Sequence, residues 1–151
     1  MNLENFKNKK ILYISVKTFN YELEIANKLI ELGAKVDYFD ERPSNSLLVK
    51  GIIRLKPSFI QKKISAYYKS ILKKIEGEKY DFFFLVKGEA IPSFFLAKLK
   101  LLQKDCFFIY YTWDSFENNP NALSILCFFD KKLTFDNLDA EKFKLEFRPL
   151  F

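Results

Sequence analysis

Three short apolar runs, each ending in a compact polar cluster, constrain the fold of this chain most strongly. Runs of this length and composition are typical of buried β-strands. Each cluster then falls just past the carboxyl end of a strand, which is where a doubly wound α/β sheet binds its ligands. The three clusters are Asp40-Glu41-Arg42-Pro43, Lys87-Gly88-Glu89 and Thr112-Trp113-Asp114-Ser115.

Segments with helical periodicity alternate with these runs along the whole chain. We predict a doubly wound, Rossmann-like α/β domain over residues 1–151, with a mostly parallel sheet of about five to six strands. The predicted strands are 11–16, 35–39, 80–86, 106–111, 132–135 and 146–148, and the predicted helices are 20–32, 44–76 in two pieces divided near Pro57, 92–102, 121–128 and 138–143. The chain stops on its sixth strand with no closing helix, so we expect a further domain to be missing.

Composition removes several kinds of chemistry. The chain has no histidine and two cysteines, Cys106 and Cys127, which excludes a Ser-His-Asp triad, a Cys-His pair and a Cys/His zinc site. The turn at 15–21 has no glycine, which disfavours a nucleotide phosphate there. We therefore expect no cofactor and no metal. No apolar run reaches the roughly 18–20 residues of a membrane span and no signal peptide is evident, so we expect a cytoplasmic protein.

The formal charge of +6 is concentrated in one span, since residues 50–75 contain eight basic side chains and no acidic one. A solvated helix face is the ordinary interpretation. Peripheral contact of residues 47–75 with the inner face of an anionic membrane is the second. Nucleic-acid binding is the third and is unlikely, because Phe59, Tyr67 and Tyr68 fall on the predicted core face and form no stacking platform.

The polar clusters supply the candidate site residues, and each has a purely structural alternative. Lys17, Tyr21, Asp40, Arg42, Lys87 and Ser115 are candidates for ligand contact, Trp113 for a stacking platform, and Glu89 and Asp114 for a general base or hydrogen-bond acceptor. The alternatives are solvated or loop-shaping charges at 40–42 and 87–89. A tryptophan that plugs the sheet end, with Asp114 or Ser115 capping the next segment, is the alternative for the third cluster.

Taken in order, the clusters resemble a family of bacterial proteins. The motifs are Asp40-Glu41-Arg42-Pro43-Ser44-Asn45, Lys87-Gly88-Glu89, Tyr111-Thr112-Trp113-Asp114-Ser115, Phe135-Asp136-Asn137-Leu138-Asp139-Ala140 and Arg148-Pro149-Leu150-Phe151. They resemble the N-terminal half of CgeB-like, family 1-like glycosyltransferases of the GT-B architecture, found in lipopolysaccharide and capsule clusters.

The resemblance implies the acceptor-side domain of a glycosyltransferase of surface-polysaccharide biosynthesis. It implies a sugar or lipid-linked acceptor bound here and a nucleotide-sugar bound only with the missing C-terminal domain, so the chain alone is expected to be inactive. In this family Glu89 and Asp114 would contact the acceptor or act as general base, with Trp113 as platform. The alternative from another class is a non-catalytic, flavodoxin-like α/β binding or regulatory module.

Overall fold

The computed structural model describes residues 6–44 and 60–149, and strands and helices alternate along them. The elements are β1 (Lys10–Ser15), α1 (Tyr21–Glu31), β2 (Lys35–Asp40), α2 (Gln61–Lys74), β3 (Phe82–Val86), α3 (Ser93–Leu102), β4 (Phe107–Thr112), a 3₁₀ segment (Pro120–Phe128), β5 (Lys131–Thr134), α4 (Asn137–Phe143) and β6 (Glu146–Phe147). The predicted elements lie within two residues of these bounds, apart from 44–76. Its first piece falls largely outside the described residues, and its second piece, predicted from near Pro57, is the helix that begins at Gln61.

The six strands form one sheet in the order β2-β1-β3-β4-β5-β6, and every neighbouring pair is parallel. The predicted doubly wound α/β class is confirmed. The order reverses between β1 and β3, as in flavodoxin-like sheets, and this switch point opens a crevice at the carboxyl ends of the two strands.

One face of the sheet carries most of the hydrophobic core. Leu12, Ile14, Phe83, Leu85 and Phe108 alternate along their strands and are fully or almost fully buried there. Residues of α2, α3 and the 3₁₀ segment pack over them. The two faces are occupied by alternate residues because side chains in a strand point to opposite sides.

The second face is covered differently. Ile11, Tyr13 and Val86 form a smaller cluster there with Ala26 of α1. Among the described helices, α1 is the one that packs on this face, and it lies over the β1–β2 side through its contacts with β2.

The segment 120–128 differs from the predicted helix, because it is a succession of 3₁₀ turns. Its buried residues Ala122 and Ile125 are three positions apart, and three residues make one turn of a 3₁₀ helix. That spacing places both side chains on the core side.

The basic face of α2 is exposed, as a solvated helix face should be. Lys62, Lys63, Lys69, Lys73 and Lys74 all reach solvent, whereas Tyr68 is buried. The rest of the basic span, including the apolar residues at 47–53, lies outside the described residues. No helix in the described part of the chain is long and apolar enough to cross a membrane.

Gly88 follows β3 in a conformation and a space that exclude a side chain. Its φ is +70°, and an added Cβ would lie 2.9 Å from Ile125 Cδ1 and 3.0 Å from Tyr110 Cε2. Gly77 is a matched control, since its φ is +81° but nothing lies within 4 Å of an added Cβ.

We expect Gly88→Ala to lower the free energy of unfolding by about 1–3 kcal/mol more than Gly77→Ala, because overpacking adds to backbone strain. Urea denaturation of the two variants measures the difference. Equal losses of stability in both variants would show that the space beside Gly88 is not tightly packed.

Candidate functional site

The carboxyl edge is organised around the side chain of Glu41, which follows β2 and is fully buried. Its Oε2 accepts the backbone N–H of Gly88 at 3.1 Å, and its Oε1 accepts the N–H of Ile91 at 3.2 Å. Oε1 also accepts the N–H of Ala90. One carboxyl group therefore ties the exit of β2 to the loop that leads from β3 into α3.

Burial sets the protonation of this group. It raises the pKa of Glu41 to about 7, and the backbone N–H of Ala90 opposes that rise. The neighbouring Glu89 carboxylate raises the pKa further, whereas Arg42 lowers it. The group therefore titrates near neutral pH inside the folded protein.

Two tyrosines of α2 fix the backbone on either side of this carboxyl group. The hydroxyl of Tyr68 donates to the carbonyl oxygen of Glu41 at 2.8 Å, and that of Tyr67 donates to the carbonyl oxygen of Asp40 at 2.5 Å. The Asp40 carboxylate accepts the backbone N–H of Arg42 at 2.9 Å. Asp40 and its neighbours therefore shape the loop after β2.

A chain of charged side chains, buried except for the partly exposed Asp114, runs beside Glu41. The guanidinium of Arg42 donates through Nε to Glu89 Oε2 at 3.1 Å and pairs with the same oxygen through a second nitrogen. Lys87 Nζ lies 3.9 Å from Glu89 Oε2 and 3.4 Å from Asp114 Oδ2. The charges of three polar clusters that are far apart in sequence are thus brought together at one edge.

The exit of β3 makes this arrangement possible. Lys87 has φ +83° and is followed by Gly88 with φ +70°. The Lys87 carbonyl accepts the Tyr110 hydroxyl at 2.8 Å and the Asn119 side-chain amide at 3.0 Å. These two donors hold Lys87 in a backbone conformation that is strained for a residue with a Cβ.

Three aromatic rings lie side by side at the same edge, and we call Phe19, Tyr21 and the partly buried Trp113 the aromatic patch. The Phe19 side chain is 87% exposed and that of Tyr21 is 52% exposed. The ring centroids of Phe19 and Tyr21 are 6.3 Å apart, and those of Tyr21 and Trp113 are 6.5 Å apart. The patch bridges the ends of β1 and β4.

The loop after β1 holds Phe19 in this outward position. Phe19 and Asn20 both have left-handed backbones, with φ of 51° and 65°. The buried Glu22 stabilises the turn, because its Oε2 accepts the backbone N–H of Thr18 at 2.9 Å. A large exposed ring on a strained backbone is a feature that clusters at functional sites.

The remaining candidate residues have local positions. Lys17 is exposed at this edge and makes no hydrogen bond or ion pair within the described ranges. The Ser115 hydroxyl oxygen accepts the backbone N–H of Asn118 at 3.4 Å, and Asp114 Oδ1 accepts the Asn118 side-chain amide at 3.1 Å. Asp114 and Ser115 therefore also order the turn after β4.

The structure thus brings together Arg42, Lys87, Glu89 and Asp114, and separately Tyr21 and Trp113. Glu41, Phe19 and Asn119 were not among the candidates. Glu41 lies inside one of the three polar clusters, but nothing in the sequence marks it as buried, and nothing marks Phe19 as exposed. Among the described side chains, no group of three or more metal-ligating residues is suited to a metal ion.

Comparison with solved structures finds five matching chains, of which two are described here. A chain in the crystal structure of the histidine kinase ThkA in complex with the response regulator protein TrrA is 17% identical, with a TM-score of 0.47 over 90% of this chain and 97% of that one. The receiver domain of the histidine kinase CKI1 from Arabidopsis thaliana, crystallised as a mutant, is 11% identical, with a TM-score of 0.43 over 94% and 93%. No protein-family model and no curated protein matches the chain.

These findings correct the glycosyltransferase interpretation. The similar structures belong to two-component signalling proteins and include no GT-B domain, so the resemblance to CgeB-like glycosyltransferases was wrong. The expected role in polysaccharide biosynthesis, the sugar or lipid-linked acceptor, the nucleotide-sugar and the membrane contact through 47–75 are withdrawn with it. Likenesses this distant give the fold and transfer no activity.

Because Glu41 titrates near neutral pH, the free energy of unfolding should depend on pH. Between the ordinary carboxyl pKa of 4.5 and the folded value of about 7, the folded state holds more protons than the unfolded state. The free energy of unfolding should therefore fall by about 2–3 kcal/mol as pH rises from 5 to 7. The chain has no histidine, and carboxyl groups with an ordinary pKa are already mostly ionised at pH 5.

Urea denaturation at several pH values measures this slope, and Glu41→Gln is the control that removes the titrating group. We expect the slope between pH 5 and 7 to disappear in Glu41→Gln whatever the stability of that variant. A flat profile in the unaltered chain would show that Glu41 is already ionised at pH 5.

The Arg42–Glu89 pair is testable by a double-mutant cycle. Arg42→Met should destabilise the fold by about 3–5 kcal/mol, because it leaves the buried Glu89 carboxylate without its closest described partner. In Arg42→Met/Glu89→Met the loss should be smaller than the sum of the two single losses by about 1–3 kcal/mol. Additive losses would contradict the pairing.

Proposed function

We propose that this chain is a non-catalytic α/β module of flavodoxin-like topology, which binds a protein partner through the aromatic patch at the carboxyl edge of its sheet. The chain forms a single domain in this proposal. One observation carries it: Arg42, Lys87 and Glu89 are buried and pair with one another, whereas Phe19 and Tyr21, beside Trp113, expose large aromatic side chains at the same edge.

The buried charges support a structural role rather than catalysis. Glu89 is 6% exposed at its side chain and is paired with Arg42, and the Lys87 side chain is 9% exposed. A general base must be within hydrogen-bond reach of its substrate. In this proposal Glu89 and Asp114 therefore position Arg42 and Lys87 and hold the shape of the edge.

The outward groups support recognition of a protein surface. Tryptophan and tyrosine are enriched among residues that dominate binding energy at interfaces, and an exposed apolar cluster on a rigid support is typical of an interaction site. Phe19, Tyr21 and Trp113 are held by a loop fixed through Glu22 and by the ends of β1 and β4. The support is therefore in place before a partner arrives.

The state of the cysteines supports a cytoplasmic location as part of the same proposal. Cys106 and Cys127 are both free thiols, one buried and the other exposed. An exposed thiol persists more readily in the reducing cytoplasm than in an oxidising compartment.

The patch is tested by Phe19→Ser/Tyr21→Ser, with Leu101→Ser as the matched control. Leu101 is also strongly exposed, at 69%, but lies in the last turn of α3. The immobilised chain is exposed to an extract of its source cells. A partner should bind the unaltered chain and Leu101→Ser and should be lost by at least about tenfold from the double variant, the loss expected when two aromatic contacts are removed.

The retained protein is then purified and titrated against the chain, with fluorescence of Trp113, the single tryptophan, as the readout. Saturable quenching or enhancement at one equivalent is the expected result. Equal retention by all three chains, or a partner that leaves the Trp113 signal unchanged, would overturn the proposal.

A further inference from the structure

A second candidate binding surface lies on the sheet face opposite the main core. A groove of about 610 Å³ lies between α1 and the exit of β6. Its floor is formed by Phe82, Phe84, Ile109, Tyr111 and Leu133 of the three strands β3, β4 and β5. The first four of these side chains are only partly buried.

A floor of this kind is unusual for a parallel sheet. All-parallel sheets occur almost only with both faces covered by helices. Here every strand pair is parallel, and α1, through Ile25 and Leu29, forms one wall of the groove without covering its floor. Among residues 6–44 and 60–149, no helix covers the β3–β5 part of this face, whereas this architecture normally places helices over it.

The other wall of the groove carries charge. Lys131 Nζ lies 2.9 Å from the Glu146 carboxylate, and an Arg148 guanidinium nitrogen lies 3.2 Å from the other oxygen of the same group. The Tyr111 hydroxyl holds this wall by donating to the Arg148 carbonyl oxygen at 3.4 Å. Two cations pair with one carboxylate, so this wall has a net positive charge. A carboxylate on a bound partner would neutralise that charge.

The dimensions of the open face distinguish between possible occupants. Three strands spaced by about 4.8 Å and about five residues long give a floor of about 10 by 17 Å. A stable dimer needs on the order of 800 Å² buried on each partner, which is several times that area. One α-helix of about ten to twelve residues is about 15–18 Å long and about 10 Å wide, and it matches the face.

We propose that a single amphipathic α-helix of another polypeptide docks in this groove, with an aliphatic stripe on the floor and an acidic residue against Lys131 and Arg148. The helix covers the β3–β5 part of this face, over which none of the described helices lies. This surface is separate from the aromatic patch, and its occupation does not depend on the function proposed above.

The test uses two synthetic 14-residue peptides, stapled as helices and labelled for fluorescence anisotropy. Both carry leucines along one stripe, and they differ only in having two glutamates or two lysines on the flank. We expect the glutamate peptide to bind the full chain with one-to-one stoichiometry and at least about tenfold more tightly than the lysine peptide. The difference should shrink in 0.5 M salt, which screens exposed charges within about 4 Å.

Two variants locate the binding. Ile109→Glu places a carboxylate in the floor and should abolish binding of both peptides, provided that circular dichroism shows it folded. Lys131→Gln/Arg148→Gln changes only side chains on the outer wall and should remove the preference for the glutamate peptide while leaving the fold intact. Phe19→Ser/Tyr21→Ser is the control and should bind both peptides as the unaltered chain does.

The proposal is overturned if neither peptide binds at 0.5 mM, or if both bind equally and Lys131→Gln/Arg148→Gln has no effect. It is also overturned if sedimentation shows a dimer of the unaltered chain that Ile109→Glu dissociates, because a second copy would then cover the face.

Discussion

The three backbone N–H groups that the Glu41 carboxyl accepts, from Gly88, Ala90 and Ile91, are the contacts on which the carboxyl edge depends. They join the exit of β2 to the turn after β3, across the end of β1. A buried backbone donor without a partner costs about 1–3 kcal/mol, so three such donors satisfied by one side chain leave the loop few alternative conformations. Arg42, the residue after Glu41, is placed by the same contacts against Glu89.

This arrangement explains why polar clusters at strand ends are not by themselves evidence of catalysis. A turn between a parallel strand and its crossover helix exposes backbone groups that must find partners. In this chain Glu41 and Asn119 supply several of them, and the ion pairs among Arg42, Lys87, Glu89 and Asp114 neutralise charges that burial would otherwise penalise. Phe19 and Tyr21 are exposed at the same edge, and in the proposed function they contact the partner.

Most of the fold could be predicted from the sequence, whereas the site could be predicted only in part. Apolar runs such as Tyr80–Val86 fix strands and their burial, and helical spacing fixes α1 and α2, because these patterns follow from local geometry. The meeting of Arg42, Lys87, Glu89 and Asp114 at one edge also follows from the parallel topology. The buried state of Glu41 and the outward ring of Phe19 depend on backbone conformations at Lys87, Phe19 and Asn20, which local sequence does not specify for residues other than glycine. Motif order alone suggested an activity that the comparisons contradict, since a site must be argued from its geometry.

The most direct test of this account is native-state hydrogen exchange of the Gly88, Ala90 and Ile91 amides, measured by NMR on the isotopically labelled chain. If the Glu41 carboxyl holds the loop, these three amides exchange only through large-scale unfolding, with protection similar to that of the Leu85 amide in the centre of the sheet. Exchange of the three amides at the rate of an open surface loop, while Leu85 stays protected, would contradict the central role assigned to Glu41.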